Sequence, residues 1–408
     1  MASEAIAVLE IGTHKIRVVV GEVREDGVVS IIGIGEAPSQ DGIRKGEILN
    51  RDQALSDIRI ALKAAEESLH RSIHSVHLIT SGGETDSRPT SASLRLASAE
   101  ENHYAEITPE DVEEVLELAR RVALPQSRIR LHGFQQYFHL DDMSKIIDPV
   151  GLAGEELRVD MLTLHGKRST VDNFQKMVED IPIECSDAFF SALCSAQAIL
   201  NDEQKKAGVL VIDLGAGTTD MVLYYDGIIQ TAASFAVGGD HVANDIMVGL
   251  GISSAQAEHL KLHEGSALSN LLERDHNISI PAERGFSGKM VRAATLNTII
   301  NARMEELFTL VKDHIEERCP AASLGAGVLL TGGGAFLNGA RDLGQKIFNA
   351  PCSLGKPLEV QGLQSIKDLP LYAAHIGAIR YATSIQEKNP DSSWKKRIQK
   401  FFFGDRHE

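Results

Sequence analysis

Residues 208–228 read Gly208-Val-Leu-Val-Ile212, Asp213-Leu-Gly-Ala-Gly-Thr-Thr-Asp220, Met221-Val-Leu-Tyr-Tyr225, Asp226-Gly227 and Ile228. The β-branched and apolar runs predict strands, and the Gly-rich and Asp-Gly segments predict the turns between them. The same order of strand, acid, Gly-Thr turn, strand and Asp-Gly turn occurs in residues 5–33. We interpret this recurrence as an internal duplication, which predicts two related α/β lobes.

Both duplicated turns carry the groups that bind phosphate. Backbone N–H groups in a tight turn can hold phosphate oxygens, and Gly lets the ligand approach closely. A carboxylate at the end of the preceding strand can hold Mg²⁺, usually through water. One such turn alone is more often an ordinary hairpin, but a matched pair predicts a clamp that grips a triphosphate from both sides. The candidates are Gly12, Thr13, His14 and Lys15 with Glu10 as the metal group, and Gly215, Gly217, Thr218 and Thr219 with Asp213 as the metal group.

Two further glycine clusters are candidate ligand contacts. Gly332, Gly333 and Gly334 follow an apolar strand and precede Phe336, so the backbone there could pass close to a flat ligand. Gly238 and Gly239 open a predicted helix, whose N-terminus could bind phosphate. The alternatives are a plain strand-to-helix turn and a plain helix cap.

Composition limits the class of protein. A chain of 408 residues is too long for one simple core, so two or more lobes are expected. The net charge of −16 argues against a general nucleic-acid binder. The four cysteines lack metal or disulfide spacing, and the N-terminus has no basic leader of the kind that opens a signal peptide. No apolar stretch approaches the roughly 20 residues that span a bilayer.

The C-terminal residues 393–408 predict an amphipathic helix. Its apolar stripe and its basic flank suit the headgroup region of an anionic membrane. The alternatives are a helix that docks back onto the body or binds another protein. The stripe consists of Trp394, Ile398, Phe401 and Phe402, and the basic residues are Lys395, Lys396, Arg397 and Lys400.

The chain resembles the actin, heat-shock chaperone and sugar-kinase superfamily, and within it the FtsA family of bacterial cell-division proteins. The motifs that carry this resemblance are Ile11-Gly-Thr13, Asp213 to Asp220, Gly238 to Ile246, Ala257-Glu-His-Leu-Lys261, Leu330-Thr-Gly-Gly-Gly334, and the segment from Ile129-Arg-Leu-His132 to Asp148-Pro-Val-Gly151. The resemblance covers nearly the whole chain, including the C-terminal helix.

The resemblance implies an actin-like two-lobed α/β fold with duplicated ribonuclease-H-like lobes, an FtsA-type inserted subdomain and a C-terminal amphipathic helix. The implied boundaries are 1–83 and 167–206 for the first lobe, 84–166 for the insert, 207–240 and 324–363 for the second lobe, 241–323 for its smaller outer subdomain, 364–383 for a hinge helix and 393–408 for the membrane helix. Between the last two, the polar residues 384–392, which include Pro390, predict a linker.

The resemblance also implies ATP and Mg²⁺ as ligands. Glu258 and Lys261, which could otherwise be a solvated charge pair, match positions for ribose and adenine, and Gly332 to Gly334 would border the adenosine. Ser191-Ala-Leu-Cys194 lies where hydrolysing relatives carry a Glu or Gln that positions water. ATP binding with at most weak ATPase activity is therefore expected.

The implied partners are the C-terminal tail of the tubulin-like protein FtsZ, further copies of the chain in a filament, other division proteins and the membrane. Arg292, Arg303 and Glu306 are the candidate contacts for the FtsZ tail. The implied location is the cytoplasmic face of the inner membrane at the division site. The alternatives are a pilus-assembly relative of FtsA, a sugar kinase of the same superfamily, and MreB-like filament proteins, which lack the insert.

Overall fold

The computed structural model describes residues 5–82, 84–96, 104–269, 275–283, 285–362 and 368–388. The predicted membrane helix and its eight named residues therefore lie outside the described part of the chain. Within that part, no helix is both long enough and apolar enough to cross a membrane.

The first half of the chain forms the first lobe and the insert. Its elements are β1 (Ile6–Ile11), β2 (Lys15–Val23), β3 (Val29–Pro38), β4 (Ile43–Arg44), β5 (Glu47–Ile48), α1 (Arg51–Leu69), β6 (Ser75–Thr80), β7 (Asp86–Arg95), β8 (Ala105–Glu106), α2 (Pro109–Arg120), β9 (Arg128–Leu140), β10 (Met143–Ile146), β11 (Ala153–Gly154), β12 (Glu156–Lys167), α3 (Arg168–Glu179), β13 (Glu184–Phe190), α4 (Ser191–Ile199) and α5 (Asp202–Ala207).

The second half forms the second lobe and the helix that returns to the first. Its elements are β14 (Val209–Leu214), β15 (Thr219–Tyr225), β16 (Ile228–Phe235), α6 (Gly239–Leu250), α7 (Ser254–His263), β17 (Asn277–Ile280), β18 (Lys289–Arg292), α8 (Ala293–Arg318), β19 (Gly327–Thr331), α9 (Ala340–Phe348), β20 (Cys352–Leu354), β21 (Val360–Gly362) and α10 (Ala373–Lys388). Short 3₁₀ turns cover Gly333–Phe336 and Leu369–Tyr372.

The two lobes repeat one sheet plan, which confirms the predicted duplication. The first sheet has the order β13-β6-β1-β2-β3-β21, and the second contains β16-β15-β14-β19-β20. In both, three antiparallel strands are followed by two parallel ones, so β1, β2, β3, β6 and β13 correspond to β14, β15, β16, β19 and β20.

The register of the two hairpins is also the same. Ile11 pairs with Ile16 at the end of β1–β2, and Leu214 pairs with Thr219 at the end of β14–β15. Each hairpin thus closes through a four-residue turn, with an amide-to-carbonyl bond of 3.1 Å from Gly12 and 2.9 Å from Gly215. The two turns are therefore the same structural unit, placed once in each lobe.

Helices α4 and α10 cross at the junction of the lobes. A Cβ atom at Gly377 would lie 1.7 Å from the carbonyl oxygen of Cys194, so only Gly permits this backbone contact. The neighbouring small residues Ala374 and Ala378 are also buried. An apolar cluster around this crossing takes residues from both sheets, including Val8 of the first lobe. The crossing therefore lies in a core that the two lobes share.

The predicted linker at residues 384–392 needs correction at its start. α10 continues to Lys388, beyond the predicted end of the hinge helix at residue 383. The polar side chains there are accommodated within the helix, because the Ser384 hydroxyl donates to the Tyr381 carbonyl at 2.8 Å and Ile385 packs against the shared core. A polar composition alone had suggested a linker.

The insert extends the sheet of the second lobe. Its strands follow the order β10-β9-β12-β7, and β7 joins β16 through the pair Asp86–Ala233. The Ser234 amide donates to the Thr85 carbonyl at 2.8 Å, and Arg318 of α8 binds Asp86 at 3.2 Å. The insert, which follows a first-lobe strand in the chain, is therefore bonded to the second lobe.

We expect Gly377→Val to destabilise the protein by about 3 kcal/mol or more, because the added atoms would overlap the Cys194 carbonyl and force the crossing helices apart. Thermal denaturation measures the loss. Gly33→Ala is the control, since the nearest atom to its Cβ would lie at an ordinary 3.4 Å. Equal melting temperatures for the Gly377→Val variant and the parent would contradict this account of the junction.

Candidate functional site

The two hairpin turns lie against each other across the junction of the lobes. A Cβ atom at Gly217 would lie 2.3 Å from Thr13 Oγ1, so the tip of the second turn touches the first. Gly12 and Gly215 also leave no room for a side chain, because a Cβ atom there would approach the carbonyl that closes each turn. The structure thus brings the two predicted phosphate turns face to face.

The N-terminus of α6 fixes the orientation of the second turn. The amides of Gly239 and Asp240 donate to the carbonyls of Gly215 and Ala216 at 3.0 and 2.8 Å. Because N–H and C=O point in opposite directions in a trans peptide, the amides that follow these carbonyls point away from α6.

This arrangement corrects the role predicted for the α6 N-terminus. The Gly239 amide is used by the turn, and the Gly238 amide donates to His241 Nδ1 at 3.1 Å. Gly238 and Gly239 therefore hold the second turn in place, and their amides are not free to bind phosphate in this structure. Gly238 must nevertheless lack a side chain, because a Cβ atom there would lie 2.6 Å from the Gly215 carbonyl.

The two threonines of the second turn have different environments. Thr219 is fully buried and its hydroxyl donates to the Val237 carbonyl at 2.8 Å, so it supports the turn from inside. The Thr218 hydroxyl shares a 2.5 Å hydrogen bond with Ser81 at the end of β6. This bond links the second turn to the first lobe and includes a residue that the sequence did not single out.

The third glycine cluster packs beneath the second hairpin. Gly332 has a left-handed backbone with φ of 76°, and a Cβ atom there would lie 2.4 Å from Asp213 Oδ1. A Cβ atom at Gly334 would lie 2.9 Å from Leu214 Cβ. A Cβ atom at Gly333, in contrast, would have no neighbouring atom within 4 Å. Gly333 is therefore the open position of the cluster, and Phe336 beside it is 42% exposed.

Glu258 and Lys261 of α7 reach the same region. They form an ion pair at 2.7 Å, and the Lys261 ammonium also donates to the Gly239 carbonyl at 3.2 Å. This second bond brings the pair to the start of α6, next to the second turn. The pair is therefore bonded to the start of α6, and is not only a solvated charge pair on a helix.

Glu10 lies between a first-lobe arginine and the hinge helix. Its carboxylate is 3.4 Å from the Arg17 guanidinium and 3.4 Å from Nε2 of His375. Burial raises the pKa of Glu10, and the charge of Arg17 acts in the opposite direction. His375 is fully buried with no hydrogen-bond partner for either ring nitrogen, and burial lowers its pKa to about 3, so it is neutral.

Asp213 is held by α4. Its carboxylate accepts hydrogen bonds from the hydroxyls of Ser191 at 2.6 Å and Ser195 at 3.1 Å. Burial raises the pKa of Asp213 to about 6, and the nearby negative charge of Glu10 adds to the increase. The start of α4, where the sequence offered no Glu or Gln to position water, therefore supplies two serines that orient Asp213.

The acids fit a hydrated Mg²⁺. Asp213 is a buried carboxylate that Glu10 repels, and a cation would relieve that repulsion. Mg²⁺ needs few protein ligands, because it keeps several waters and is completed by phosphate oxygens.

The predicted ligand Lys15 is paired inside the first lobe. Its ammonium lies 3.2 Å from Glu36, which also accepts from Arg17 at 2.8 Å and from the Tyr372 hydroxyl at 2.8 Å. Burial would raise the pKa of Glu36, but these hydrogen bonds lower it to about 2, so it is ionised. His14 is exposed at the turn, and its carbonyl accepts from the Ser39 amide at 3.0 Å.

The candidate residues for binding the FtsZ tail lie on the outer subdomain, in a part of the sequence distant from the two phosphate turns. Arg303 binds Asp245 and Glu306, both at 2.6 Å, and Arg292 binds Asp275. Arg303 is 24% exposed and Arg292 is 70% exposed. Arg292 therefore offers more surface to a partner, whereas Arg303 and Glu306 are already bonded to each other.

Two residues of the site gave no signal in the sequence. Ser195 and His375 lie on helices far from the turns in the chain, and nothing local marks them as neighbours of an acid. Ser191 opens the segment in which the resemblance had looked for a Glu or Gln, but its bond to Asp213 was not predicted. Arg17 could have been found, because the hairpin register places it directly opposite Glu10.

The comparisons with known proteins identify the family of the chain. A family model described as cell division protein FtsA matches residues 210–377, and one described as an SHS2 domain inserted in FtsA matches residues 82–165, against the predicted insert at 84–166. The cell division protein FtsA of Pseudomonas aeruginosa is 30% identical over 94% of this chain and 91% of its own. That of Borreliella burgdorferi is 30% identical over 95% and 93%.

Solved structures support the actin-like fold. A PilM–PilN type IV pilus biogenesis complex has a chain that aligns with a TM-score of 0.63 at 15% identity, covering 93% of this chain and 98% of its own. MreB5 of Spiroplasma citri bound to ADP aligns with a TM-score of 0.54 at 15% identity, covering 95% and 99%. The predicted actin-like two-lobed fold with an inserted subdomain is therefore confirmed, apart from the C-terminal helix.

Asp220 provides a test of the buried charges at the second turn. It accepts from the Gly82 amide at 3.4 Å, and burial raises its pKa to about 7. An unfolded Asp titrates near 3.9, so between about pH 4 and pH 7 the folded state holds a proton that the unfolded state has released. The contribution of Asp220 to the free energy of unfolding therefore falls as pH rises through that window, and it is constant above the window.

We expect Asp220→Asn to gain stability relative to the parent between about pH 5 and about pH 8, because Asn cannot ionise. Calorimetric melting temperatures of both proteins at the two pH values measure the gain. Asp202→Asn, which changes a side chain that is 89% exposed, is the control and should track the parent. A constant difference between Asp220→Asn and the parent would show that Asp220 carries no proton in the folded state.

Proposed function

The chain belongs to the FtsA family of cell-division proteins, and from this we propose that it binds ATP and Mg²⁺, assembles on the membrane and tethers FtsZ filaments there. The observation that carries the nucleotide part is the pair of turns with identical register that meet at Thr13 and Gly217. A triphosphate held between them would be contacted from both lobes.

The proposed binding mode uses the residues that surround the second turn. The amides after Gly215 and Ala216 face away from α6 and would donate to phosphate oxygens. Glu258 and Lys261 would contact the ribose and adenine, and the open position at Gly333 would face the adenosine. Mg²⁺ would neutralise phosphate charge between Glu10 and Asp213, whose mutual repulsion favours a cation.

We propose that ATP turnover is slow at most. Water attack on a γ-phosphate needs a side chain that orients the water, commonly Gln or Glu. The start of α4 instead places Ser191 and Ser195 on Asp213. The nucleotide would then act mainly as a connector of the lobes, with its presence controlling assembly of copies into a filament.

The membrane and FtsZ parts of the proposal rest on the sequence and on the family. Residues 393–408 follow α10 and would lie on the cytoplasmic face of the inner membrane at the division site. The outer subdomain, with Arg292 as its most exposed candidate, would bind the FtsZ tail, and other division proteins would bind elsewhere. One such helix binds weakly, but several copies on a filament would bind firmly through effective concentration.

Two other functions share the fold. A pilus-assembly role is suggested by the PilM–PilN likeness, but that likeness at 15% identity concerns the fold alone. A sugar kinase of this superfamily would need a catalytic acid near a sugar, and the acids described here are held by Arg17 and by the α4 serines. The basic aromatic C-terminal segment has no role in either alternative.

We expect Gly215→Val to abolish detectable ATP binding. A Cβ atom at this position would lie 2.9 Å from the Thr218 carbonyl, so the turn would have to open and its amides would lose their arrangement. Isothermal titration calorimetry with Mg²⁺ and ATP measures the effect, and Gly33→Ala, remote from the turns, is the control. Unchanged ATP affinity in Gly215→Val would rule out a clamp made of both turns.

We expect Trp394→Asp to release the protein from anionic liposomes and to stop FtsZ from sedimenting with them. Burying an unpaired carboxylate at the acyl boundary costs roughly several kcal/mol, which exceeds the affinity of a single interfacial helix. Sedimentation with anionic and neutral liposomes, with and without FtsZ, measures both effects. If the Trp394→Asp protein pelleted as well as the parent, the apolar stripe would have to pack against protein.

A further inference from the structure

The short hairpin of β4 and β5 is fixed at its base in the first lobe. The Gly42 carbonyl accepts hydrogen bonds from the amides of Leu49 at 2.8 Å and Asn50 at 3.1 Å, which closes the loop below the hairpin. Ile43 is buried in the first-lobe core. The tip of this hairpin, Lys45 and Gly46, therefore has a defined position.

That tip lies against the second turn, which belongs to the other lobe. A Cβ atom at Gly217 would lie 3.0 Å from both the amide nitrogen and the Cα atom of Lys45. A Cβ atom at Gly46 would lie 3.3 Å from Thr218 Cγ2. Since Gly217 also touches Thr13, Lys45 sits where both turns and the tip of the β4–β5 hairpin meet.

The backbone of Lys45 is one that Lys rarely adopts. The strand pairs Ile43–Ile48 and Arg44–Glu47 are closed by a two-residue turn, Lys45 and Gly46. The φ angles of these two residues are 53° and 72°. A two-residue turn with both φ values positive strongly favours Asn, Asp or Gly at its first position. A left-handed conformation costs a residue with a Cβ atom about 1–2 kcal/mol, and such strain is commonly found at functional sites.

The Lys45 charge has no partner in the described part of the chain. No carboxylate there lies within ion-pair distance of its ammonium, and the side chain is exposed. Burial is the main cause that lowers the pKa of His241, in the first turn of α6, and the positive charge of Lys45 lowers it further. The Lys45 ammonium therefore lies near the start of that helix. The lysine is thus an unneutralised cation close to the proposed phosphate turns.

We propose that Lys45 binds the phosphate groups of the nucleotide, reaching from the first lobe to the phosphates on the second turn. The chemical class of ligand is a nucleoside di- or triphosphate. The inference rests on the proposed nucleotide function and adds a contact that closes the cleft, because a ligand held by both Lys45 and the second turn resists separation of the lobes.

The test compares Lys45→Gln, Lys45→Arg and a control, Lys63→Gln, whose side chain on α1 is 77% exposed. Calorimetry with Mg²⁺ and ATP, and separately with adenosine, measures affinity in the full-length protein. We expect Lys45→Gln to weaken ATP binding about tenfold or more, which is the range for a lost charge-assisted hydrogen bond, and to leave adenosine binding unchanged. Lys45→Arg keeps the charge and should retain most of the affinity, and Lys63→Gln should match the parent.

A fourth variant, Lys45→Gly, separates a structural role from a binding role. Gly adopts the left-handed turn without strain, so this variant should melt at or above the temperature of the parent. It should nevertheless bind ATP as weakly as Lys45→Gln. If Lys45→Gly both melted lower and bound weakly, the lysine would be shown to support the turn and not to bind phosphate.

Two further outcomes distinguish this inference from the function on which it rests. Parent-like ATP affinity in Lys45→Gln, with binding lost in Gly215→Val, would overturn the role of Lys45 and leave the clamp intact. Equal weakening in Lys45→Gln and Lys63→Gln would also overturn it, because the effect would then come from net charge. A parent protein that bound no ATP would overturn both the clamp and the lysine contact.

Discussion

The backbone contact between Gly377 and the Cys194 carbonyl is the constraint on which the two-lobed arrangement depends. It lets α4 and α10 cross without a side chain between them, inside an apolar cluster that takes residues from both sheets. α4 leads from the first lobe into the second, and α10 leads back. This crossing therefore helps to set the relative position of the lobes, and the two turns meet across the same junction.

The same two helices lie beside the two acids of the site. α4, which follows the first lobe, places Ser191 and Ser195 on Asp213 of the second. α10, which follows the second lobe, places His375 against Glu10 of the first. Asp213 is therefore held by hydrogen bonds from a helix that follows the other lobe. Glu10 is held by Arg17 of its own lobe, and the neutral His375 only packs beside it.

The insert adds a second connection between the lobes. It branches from the first lobe after β6, but β7 joins the sheet of the second lobe and Asp86 binds Arg318 of α8. At its other side, His132 of β9 accepts from the Phe190 amide at 3.1 Å and lies 3.3 Å from the Tyr381 hydroxyl of α10. The insert is consequently bonded to both lobes and to the hinge helix.

The sequence by itself determined the duplication and the two Gly-Thr turns, because strand patterns and turn glycines are local properties. The resemblance to a known family, not a local pattern, located the insert. Only the tertiary structure decided which groups hold the acids, that the α6 amides are used by the second turn, and that Lys45 reaches the other lobe. These contacts join residues distant in the chain, and their geometry depends on how the lobes pack, which no local pattern encodes.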